Sequence, residues 1–273
     1  MSSKYGRGYI PDPAGHMRTS FAAHPASQAT FTPPSAGPIA FAPPKKDQGQ
    51  MSGCTGHGTS TGISTTFRAA GNPLPWEPSE DGIYKGGRAI DRVRNPDGTF
   101  PPLEDGGAMP NQVMRAVSEY GIRPSRAPAP DGRNSDCTPK TINDEPTLAD
   151  LEVEALFVPI GEYAIYSKGA ARVLAVRQAL AANLAVCFGT FVDTAFENWN
   201  PADGTPVGAP DTSDPNGGGH WMVALQYRTD SAGKTIVRCR NSWGDWGMDG
   251  DFEGDEDFIN AWDSIVVMAV RKK

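Results

Sequence analysis

Apolar residues recur with a helical period in two stretches of the chain, residues 109–120 and Ala170–Ala182. Positions three and four residues apart share one face of a helix, so each stretch predicts an amphipathic helix. A proline near the start of the first stretch and a glycine just after its end agree with helix boundaries there. The residues that form the apolar faces are Val113, Met114 and Val117 in the first stretch and Val173, Leu174 and Leu180 in the second.

Runs of apolar and β-branched residues dominate the second half of the chain, and they predict β-strands. These runs are Leu184–Val192, Trp221–Tyr227, Thr235–Arg240 and Ile265–Val270. Because helical patterns come first and strand patterns later, the sequence favours an α+β fold with a helical half and a β half.

The first 46 residues differ from the rest, because they are rich in Pro, Ala and Ser and show no helical or strand period. We interpret residues 1–46 as an N-terminal arm that either packs on a folded body or is partly disordered. Residues 47–150 then form a helical subdomain and residues 151–273 a β-rich one. The chain has 273 residues, a length that suits a single domain made of two subdomains. We expect these two subdomains to share one cleft.

Net charge and composition exclude several function classes. The formal net charge is −7, so the chain repels phosphate backbones and nucleic acid is not expected as a partner. No apolar run approaches the roughly 18 residues that a membrane span needs, and no signal-peptide core follows the N-terminus. The four cysteines show no close metal-binding spacing, so neither a metal nor a cofactor is expected. The oligomeric state is left open.

The candidate chemistry centres on Cys54 and His220. A thiol nucleophile needs a base, donors for an oxyanion and a group that orients the base. His220 follows three glycines and opens an apolar strand, which can project an imidazole into a cleft. Asn241 continues the buried face of Thr235–Arg240, where its amide needs a partner such as an imidazole N–H. Of the other histidines, His16 and His24 lie in the arm, and His57 is expected to pack on a helix.

These residues carry a resemblance to the papain-like (C1) cysteine peptidases. The segment from Gln48 to Cys54, with the Gln six residues before the Cys, resembles the nucleophile segment of that family. His220 with the apolar strand after it resembles the family's His segment, and Asn241-Ser242-Trp243-Gly244 resembles its Asn segment. The Gly53-Cys54-Thr55 context is more similar to the atypical bacterial and phage branch than to lysosomal cathepsins.

The resemblance implies a helical left subdomain, a right subdomain like an antiparallel β-barrel, and an active-site cleft between them. It implies that Cys54 is the nucleophile, His220 the base and then the acid, and Asn241 the group that orients His220. Gln48 and the Cys54 backbone N–H would form the oxyanion hole, and Trp243 would shield the hydrogen bond of His220. Residues expected to contact an extended peptide or protein substrate are Gly106, Gly107, Ala108, Met109, Trp221 and Trp243.

Several features depart from the family pattern. Met51 stands where many members have a disulfide cysteine, and Thr55 replaces an aromatic residue. The family places the nucleophile at the start of a long helix, but the stretch after Cys54 is rich in Gly and Thr, which are poor helix formers. We predict a helix there from the resemblance, against local propensity. The loop Asn198–Asn216 is expected to rim or cover the cleft, and no long helical inhibitory pro-segment is visible.

Three functions remain open on the sequence alone. The leading prediction is hydrolysis of peptide bonds through a thioester, by an endopeptidase or an exopeptidase. A thiol acyltransferase or transpeptidase would use the same groups, and a catalytically inactive binding protein could keep the same fold. A cytoplasmic or virion-associated location is favoured. The acidic run 249–257 has part of a calcium-loop pattern, but a solvated acidic hairpin is favoured over a calcium site.

Overall fold

A computed structural model of the protein describes residues 4–13, 18–30, 32–126, 134–144 and 160–270. Its α-helices are α1 (Cys54–Ala69), α2 (Glu80–Ala89), α3 (Pro110–Tyr120), α4 (Ala170–Ala181), α5 (Thr194–Glu197), α6 (Trp246–Asp249) and α7 (Glu256–Ala261). Its strands are β1 (Ser35–Ala36), β2 (Ile160–Ala164), β3 (Val186–Val192), β4 (Gly218–Thr229), β5 (Thr235–Arg240), β6 (Asp251–Gly254) and β7 (Ser264–Val270). Short 3₁₀ turns lie at Phe21–Ala23, Pro25–Gln28, Pro38–Phe41 and Pro201–Asp203.

The strands form one antiparallel sheet in the order β2-β7-β3-β4-β5-β6, with β1 added along β4. Alternate residues of β3 and β4 point to opposite faces, and both faces are buried. Cys187 and Val223 belong to the core cluster shared with α1 to α3, whereas Phe188 and Met222 belong to a second cluster shared with α4 and α7. The α+β architecture with a helical side and an antiparallel β side is as predicted.

Helix α1 forms against its local propensity because tertiary packing surrounds it. Every residue from Cys54 to Phe67 is buried. A Cβ atom at Gly58 would lie 2.7 Å from the Trp221 ring, and one at Gly62 would lie 2.6 Å from the Cys187 sulfur. The glycines therefore allow the sheet to approach the helix closely, and this packing offsets the roughly 1 kcal/mol that each glycine costs.

Most predicted elements are confirmed, with shifts at their ends. Strand β5 has the predicted bounds, and α4 ends one residue before the predicted end. Strand β4 begins at Gly218, so His220 is the third residue of the strand and not its first. Strand β3 begins at Val186, because Leu184 still belongs to the turn after α4.

The interpretation of the acidic run 249–257 as a solvated hairpin is wrong. Asp251 is only 2% exposed and forms ion pairs with Arg238 and Arg240 on the neighbouring strand. Asp255 accepts a hydrogen bond from the Phe258 backbone N–H and caps α7. The carboxylates of this run thus hold β6 and α7 in place. Among the described residues, no group of His, Cys, Asp and Glu is arranged to hold a metal ion.

Candidate active site

Cys54 is the first residue of α1, and its side chain is fully buried. Burial raises the pKa of the Cys54 thiol to about 12, because the thiolate loses its hydration. Backbone N–H groups of Trp221, Gly8 and Thr55 lie close to the sulfur and oppose this rise in pKa. One of these residues, Trp221, directly follows the predicted base His220 on β4.

His220 and Asn241 form the predicted pair. The His220 Nε2 lies 2.7 Å from the Asn241 Oδ1, and both residues are buried. The Ser242 backbone N–H donates to the same Oδ1 at 2.7 Å, which identifies that atom as the oxygen. His220 Nε2 must therefore carry a proton and donate it. In the neutral ring this leaves the Nδ1 as an acceptor, and it has no hydrogen-bond partner among the described residues.

The surroundings of His220 keep the imidazole neutral. Burial lowers the pKa of His220 to about 3, and the hydrogen bond with Asn241 opposes this only in part. The Trp243 ring lies 4.6 Å from the His220 ring, with an angle of 28° between the planes. Trp243 is 3% exposed and covers the imidazole on that side, consistent with its expected shielding position.

Gln48 lies beside this pair, and its amide orientation is fixed by Ser242. The Ser242 hydroxyl donates to the Gln48 Oε1, so the Nε2 must face the other way. This Nε2 donates to the Met51 carbonyl oxygen at 2.7 Å and to the Gly6 carbonyl oxygen at 3.1 Å. Sequence reasoning missed Ser242 as a positioning residue, although it stands directly after Asn241.

The wall of the cleft opposite His220 is held by a second network that the sequence did not reveal. The Asp105 carboxylate accepts from the Ser52 backbone N–H at 3.0 Å and from the Tyr84 hydroxyl at 2.8 Å. The Tyr84 oxygen in turn accepts from the Gly107 backbone N–H at 2.9 Å. This network ties the nucleophile loop to the predicted substrate-binding segment 106–109.

The cleft is occupied by the chain's own N-terminal residues Tyr5–Ile10, here called the plug. The Ala108 N–H donates to the Gly8 carbonyl at 2.8 Å, and the Ile10 N–H donates to the Ala108 carbonyl at 3.1 Å. On the other wall, the Tyr9 N–H donates to the Gly219 carbonyl at 3.3 Å. The plug thus lies as an extended strand between the two walls, parallel to the segment at Ala108.

Polar groups of the site bind the plug directly. The Gly6 carbonyl oxygen accepts from the Gln48 amide and, at 3.2 Å, from the Trp243 indole N–H. The Tyr5 ring stacks on Trp243 at 4.5 Å, and Arg7 forms an ion pair with Glu197. Sequence patterns do not place the N-terminal arm in the cleft, because residues 5–10 have no helical or strand period.

Of the loop Asn198–Asn216, which was expected to rim the cleft, Asn216 lines the groove, whereas Val207 pairs with β6. The Arg7 guanidinium donates to the Asn216 carbonyl, and a groove of about 420 Å³ remains open beside the plug. The residues that line this groove outside the plug are Gln50, Ser52, Gly106, Asn216, Gly217, Gly218 and Gly219.

The other described histidines have hydrogen-bond partners outside the His220–Asn241 pair. His57 is buried in α1, with its Nδ1 2.8 Å from the Gly53 carbonyl and its Nε2 2.7 Å from the Ser135 hydroxyl, consistent with a packing residue. His24 accepts from the Ala26 N–H in a turn, and His16 lies outside the described residues. All four cysteines are free and buried. In the described ranges no helix combines the length and apolarity of a membrane span.

Comparisons with known proteins support the fold. No protein-family model matches the chain, and no curated protein matches it significantly by sequence. Solved structures do match it. Xylellain, a cysteine protease from Xylella fastidiosa, aligns with a TM-score of 0.69 and 21% identity over 100% of this chain and 98% of its own.

Other papain-like structures align over similar lengths. The procathepsin B S9 of Trypanosoma congolense gives a TM-score of 0.66 at 15% identity, covering 99% of this chain and 87% of its own. The bromelain protease from Ananas comosus, solved with the E64 inhibitor, gives 0.58 at 11% identity, covering 88% and 100%. The chain therefore has the fold of the papain-like cysteine proteases.

Proposed function

We propose that this protein is a cysteine-type peptidase that hydrolyses peptide bonds through a thioester on Cys54. The observation that carries the proposal is the hydrogen bonding of His220. Its Nε2 donates to Asn241, whose oxygen is fixed by the Ser242 N–H, so the Nδ1 is left as an unoccupied acceptor. A neutral imidazole in this tautomer is the base that a thiol nucleophile needs.

In the proposed reaction, the His220 Nδ1 takes the proton of the Cys54 thiol, and the thiolate attacks the substrate carbonyl carbon. The negative charge that develops on the carbonyl oxygen is stabilised by the Gln48 Nε2–H and the Cys54 backbone N–H. The His220 ring then gives its Nδ1 proton to the leaving amine, and the C–N bond breaks. Water attacks the thioester with His220 again as base, which releases the acid and restores the thiol.

The position of Gly6 supports the assignment of Gln48. The Gly6 carbonyl is an ordinary peptide carbonyl of the chain itself, and its oxygen already accepts from the Gln48 amide and the Trp243 indole. The same donors are thus available to a substrate carbonyl once the plug leaves. We include in the proposal that the plug restrains the enzyme, because it fills the cleft and deprives Cys54 of solvent.

The test is covalent labelling of the full chain with an epoxysuccinyl inhibitor of thiol proteases, with the modified residue located by mass spectrometry. The Gly8→Ala variant is expected to loosen the plug and to label stoichiometrically at Cys54. Adding His220→Ala should abolish the adduct, and hydrolysis of a peptide library should follow the same order.

A small thiol reagent serves as the control for accessibility. If this reagent modifies Cys54 in the folded Gly8→Ala protein while the inhibitor does not and no peptide is cleaved, the peptidase proposal is wrong. That outcome would favour an inactive binding protein with this fold. If labelling occurs but product appears only with an added amine acceptor, acyl transfer replaces hydrolysis.

A further inference from the structure

A buried histidine that the proposed reaction does not use stands three residues after the nucleophile. His57 lies in the first turn of α1 and is 1% exposed. Its backbone N–H donates to the Gly53 carbonyl at 3.2 Å, as helix formation requires. Its ring Nδ1 lies 2.8 Å from the same oxygen. The Gly53 carbonyl thus has a side-chain partner that the helix itself does not need.

The directions of the hydrogen bonds around His57 follow from its partners. A carbonyl oxygen can only accept, so the Nδ1 carries the proton and donates to Gly53. Burial lowers the pKa of His57, so the ring is neutral and its Nε2 is an acceptor. The Ser135 hydroxyl, 2.7 Å away, therefore donates to the Nε2. The Ser135 oxygen in turn accepts from the Cys137 N–H at 3.1 Å.

The segment that carries Ser135 is anchored on α2. Ser135 is fully buried, and the next residue, Asp136, donates its N–H to the Glu80 carboxylate at 3.3 Å. The Asp136 carboxylate accepts from the Asp81 N–H at 3.0 Å. These bonds fix the position from which the Ser135 hydroxyl reaches His57.

At the other end, the network acts on the peptide group that joins Gly53 and Cys54. The peptide is planar, so a hydrogen bond that orients the Gly53 carbonyl also orients the Cys54 N–H. Cys54 is the first residue of α1, and an N–H at this position has no acceptor within its helix. All hydrogen bonds from Cys137 to Gly53 point the same way, and such bonds polarise one another. The Cys54 N–H therefore becomes a stronger and better-oriented donor.

We propose that His57 is a positioning residue for the oxyanion hole, that its Nδ1–H holds and polarises the Gly53–Cys54 peptide, and that Ser135 fixes the required tautomer. The inference rests on the proposed peptidase function, in which the Cys54 N–H stabilises the negative charge on the substrate carbonyl oxygen. His57 neither contacts the substrate nor transfers a proton. Its loss is expected to slow the steps that form an oxyanion and to leave thiolate formation with His220 intact.

The first test compares two amide side chains in the full-length Gly8→Ala protein, in which the plug is loosened. His57→Asn places an N–H where the Nδ1 lies, whereas His57→Gln places one where the Nε2 lies. Deleting an oxyanion donor outright costs about 10²–10³ in kcat, so His57→Gln, which only removes its support, should lower kcat roughly 10- to 100-fold. KM should change by less than about threefold. His57→Asn should recover most of the loss, although Gln is closer to His in size.

The second test separates the oxyanion hole from the thiolate. Alkylation by iodoacetamide needs the thiolate and forms no oxyanion, so His57→Gln should change the alkylation rate of Cys54 and its pH profile by less than about twofold. A peptide aldehyde does probe the hole, because the Cys54 thiol adds across the C=O, with sulfur on the carbon and the proton near the oxygen. Its inhibition constant should rise by the same factor by which kcat/KM falls.

Ser135→Ala tests the network without a change in α1. It should lower kcat roughly threefold, since the His57 Nδ1–H is then less polarised. In the His57→Asn background Ser135→Ala should have no further effect, because the shorter amide does not reach the hydroxyl. If no His57 variant folds, a Ser135→Ala kcat equal to that of the Gly8→Ala parent overturns the proposal.

The outcomes distinguish this inference from the peptidase proposal. If His57→Asn and His57→Gln lose equal kcat, or alkylation falls in step with kcat, His57 has only a structural role and the inference is wrong, while the peptidase proposal stands. It is equally wrong if His57→Gln keeps the parental kcat. If the Gly8→Ala parent cleaves no peptide and forms no epoxysuccinyl adduct, the peptidase proposal fails and this inference fails with it.

Discussion

The single methyl group added by Gly8→Ala is expected to displace the plug. The resulting change in the accessibility of Cys54 follows from the hydrogen bonds that the plug loses. A Cβ atom at Gly8 would overlap the backbone oxygen of Ser52, which belongs to the nucleophile loop and whose N–H is bound by Asp105. Gly8→Ala must therefore lift the plug. The hydrogen bonds nearest to the overlap are Ala108 N–H to the Gly8 oxygen (2.8 Å) and Ile10 N–H to the Ala108 oxygen (3.1 Å).

Losing two such bonds, at about 1 kcal/mol each, costs the closed state about 2 kcal/mol and raises the open population roughly 30-fold. When the plug recloses faster than the reagent reacts, the alkylation rate of Cys54 is proportional to that population. We therefore expect Gly8→Ala to react with iodoacetamide roughly 30-fold faster than wild type. The assay is quantification of the alkylated Cys54 peptide by mass spectrometry over time.

A control variant and two control cysteines test whether faster alkylation of Cys54 is caused by displacement of the plug. Gly208→Ala is the matched control, because a Cβ there meets only the Asp255 carboxylate at an ordinary 3.7 Å. Cys187 and Cys239 are buried in the sheet and report global unfolding. A Gly8→Ala rate within twofold of wild type, or equal acceleration at all three cysteines, would refute the reasoning about the plug.

Three further predictions follow from packing and charge. Because burial raises the pKa of Cys54 to about 12, the alkylation rate of the wild-type protein should rise from pH 7 to pH 10 without a plateau. In Gly8→Ala, where the thiol is less buried, the pH profile of the alkylation rate should show an inflection at lower pH. Gly56→Ala should destabilise the protein by about 1–3 kcal/mol in calorimetry, because the new Cβ atom would overlap the Glu80 carbonyl. Alanine is the better helix former, so unchanged or increased stability would contradict the close packing of α1. Lys46→Met should cost about 3–5 kcal/mol in urea unfolding by leaving the buried Glu80 carboxylate unpaired, and Lys46→Met/Glu80→Gln should recover most of this loss.

The sequence predicted those parts of the fold that a local pattern or a motif encodes. The apolar and β-branched run Thr235–Arg240 predicts β5 with the bounds that the structure has. Helix α1 was predicted only through the resemblance around Cys54, since its Gly and Thr content argues against a helix. The reason for the helix lies in neighbours such as Trp221 and Cys187, which are distant in sequence and which no local scale can include.

The part of the candidate site that could be predicted consists of the residues that stand in recognisable sequence motifs. Gln48, Cys54, His220 and Asn241 stand in recognisable segments, and the hydrogen bond between the last two was expected. The plug was not predictable, because Tyr5–Ile10 has no period and gains its order only from the two walls that it pairs with. The assignment of Gly106, Gly107, Met109 and the other substrate contacts stays a prediction.

Asp263 shows a further limit of sequence reasoning. The residue directly precedes β7 and carries no motif. Its relation to the cleft becomes visible only through the Tyr9 hydroxyl, which comes from the opposite end of the chain.

In the proposed mechanism, Ser242 connects the residue that orients His220 with the oxyanion donor Gln48. Its backbone N–H holds the Asn241 oxygen, its hydroxyl holds the Gln48 oxygen, and its carbonyl accepts from the Gln48 N–H at 2.8 Å. In that mechanism, proton transfer and oxyanion stabilisation depend on the same residue, so a distortion just after β5 would affect both. The loss of kcat/KM in a Gln48 and Asn241 double variant would then be smaller than the product of the two single losses. The rate enhancement could not be divided between the two residues.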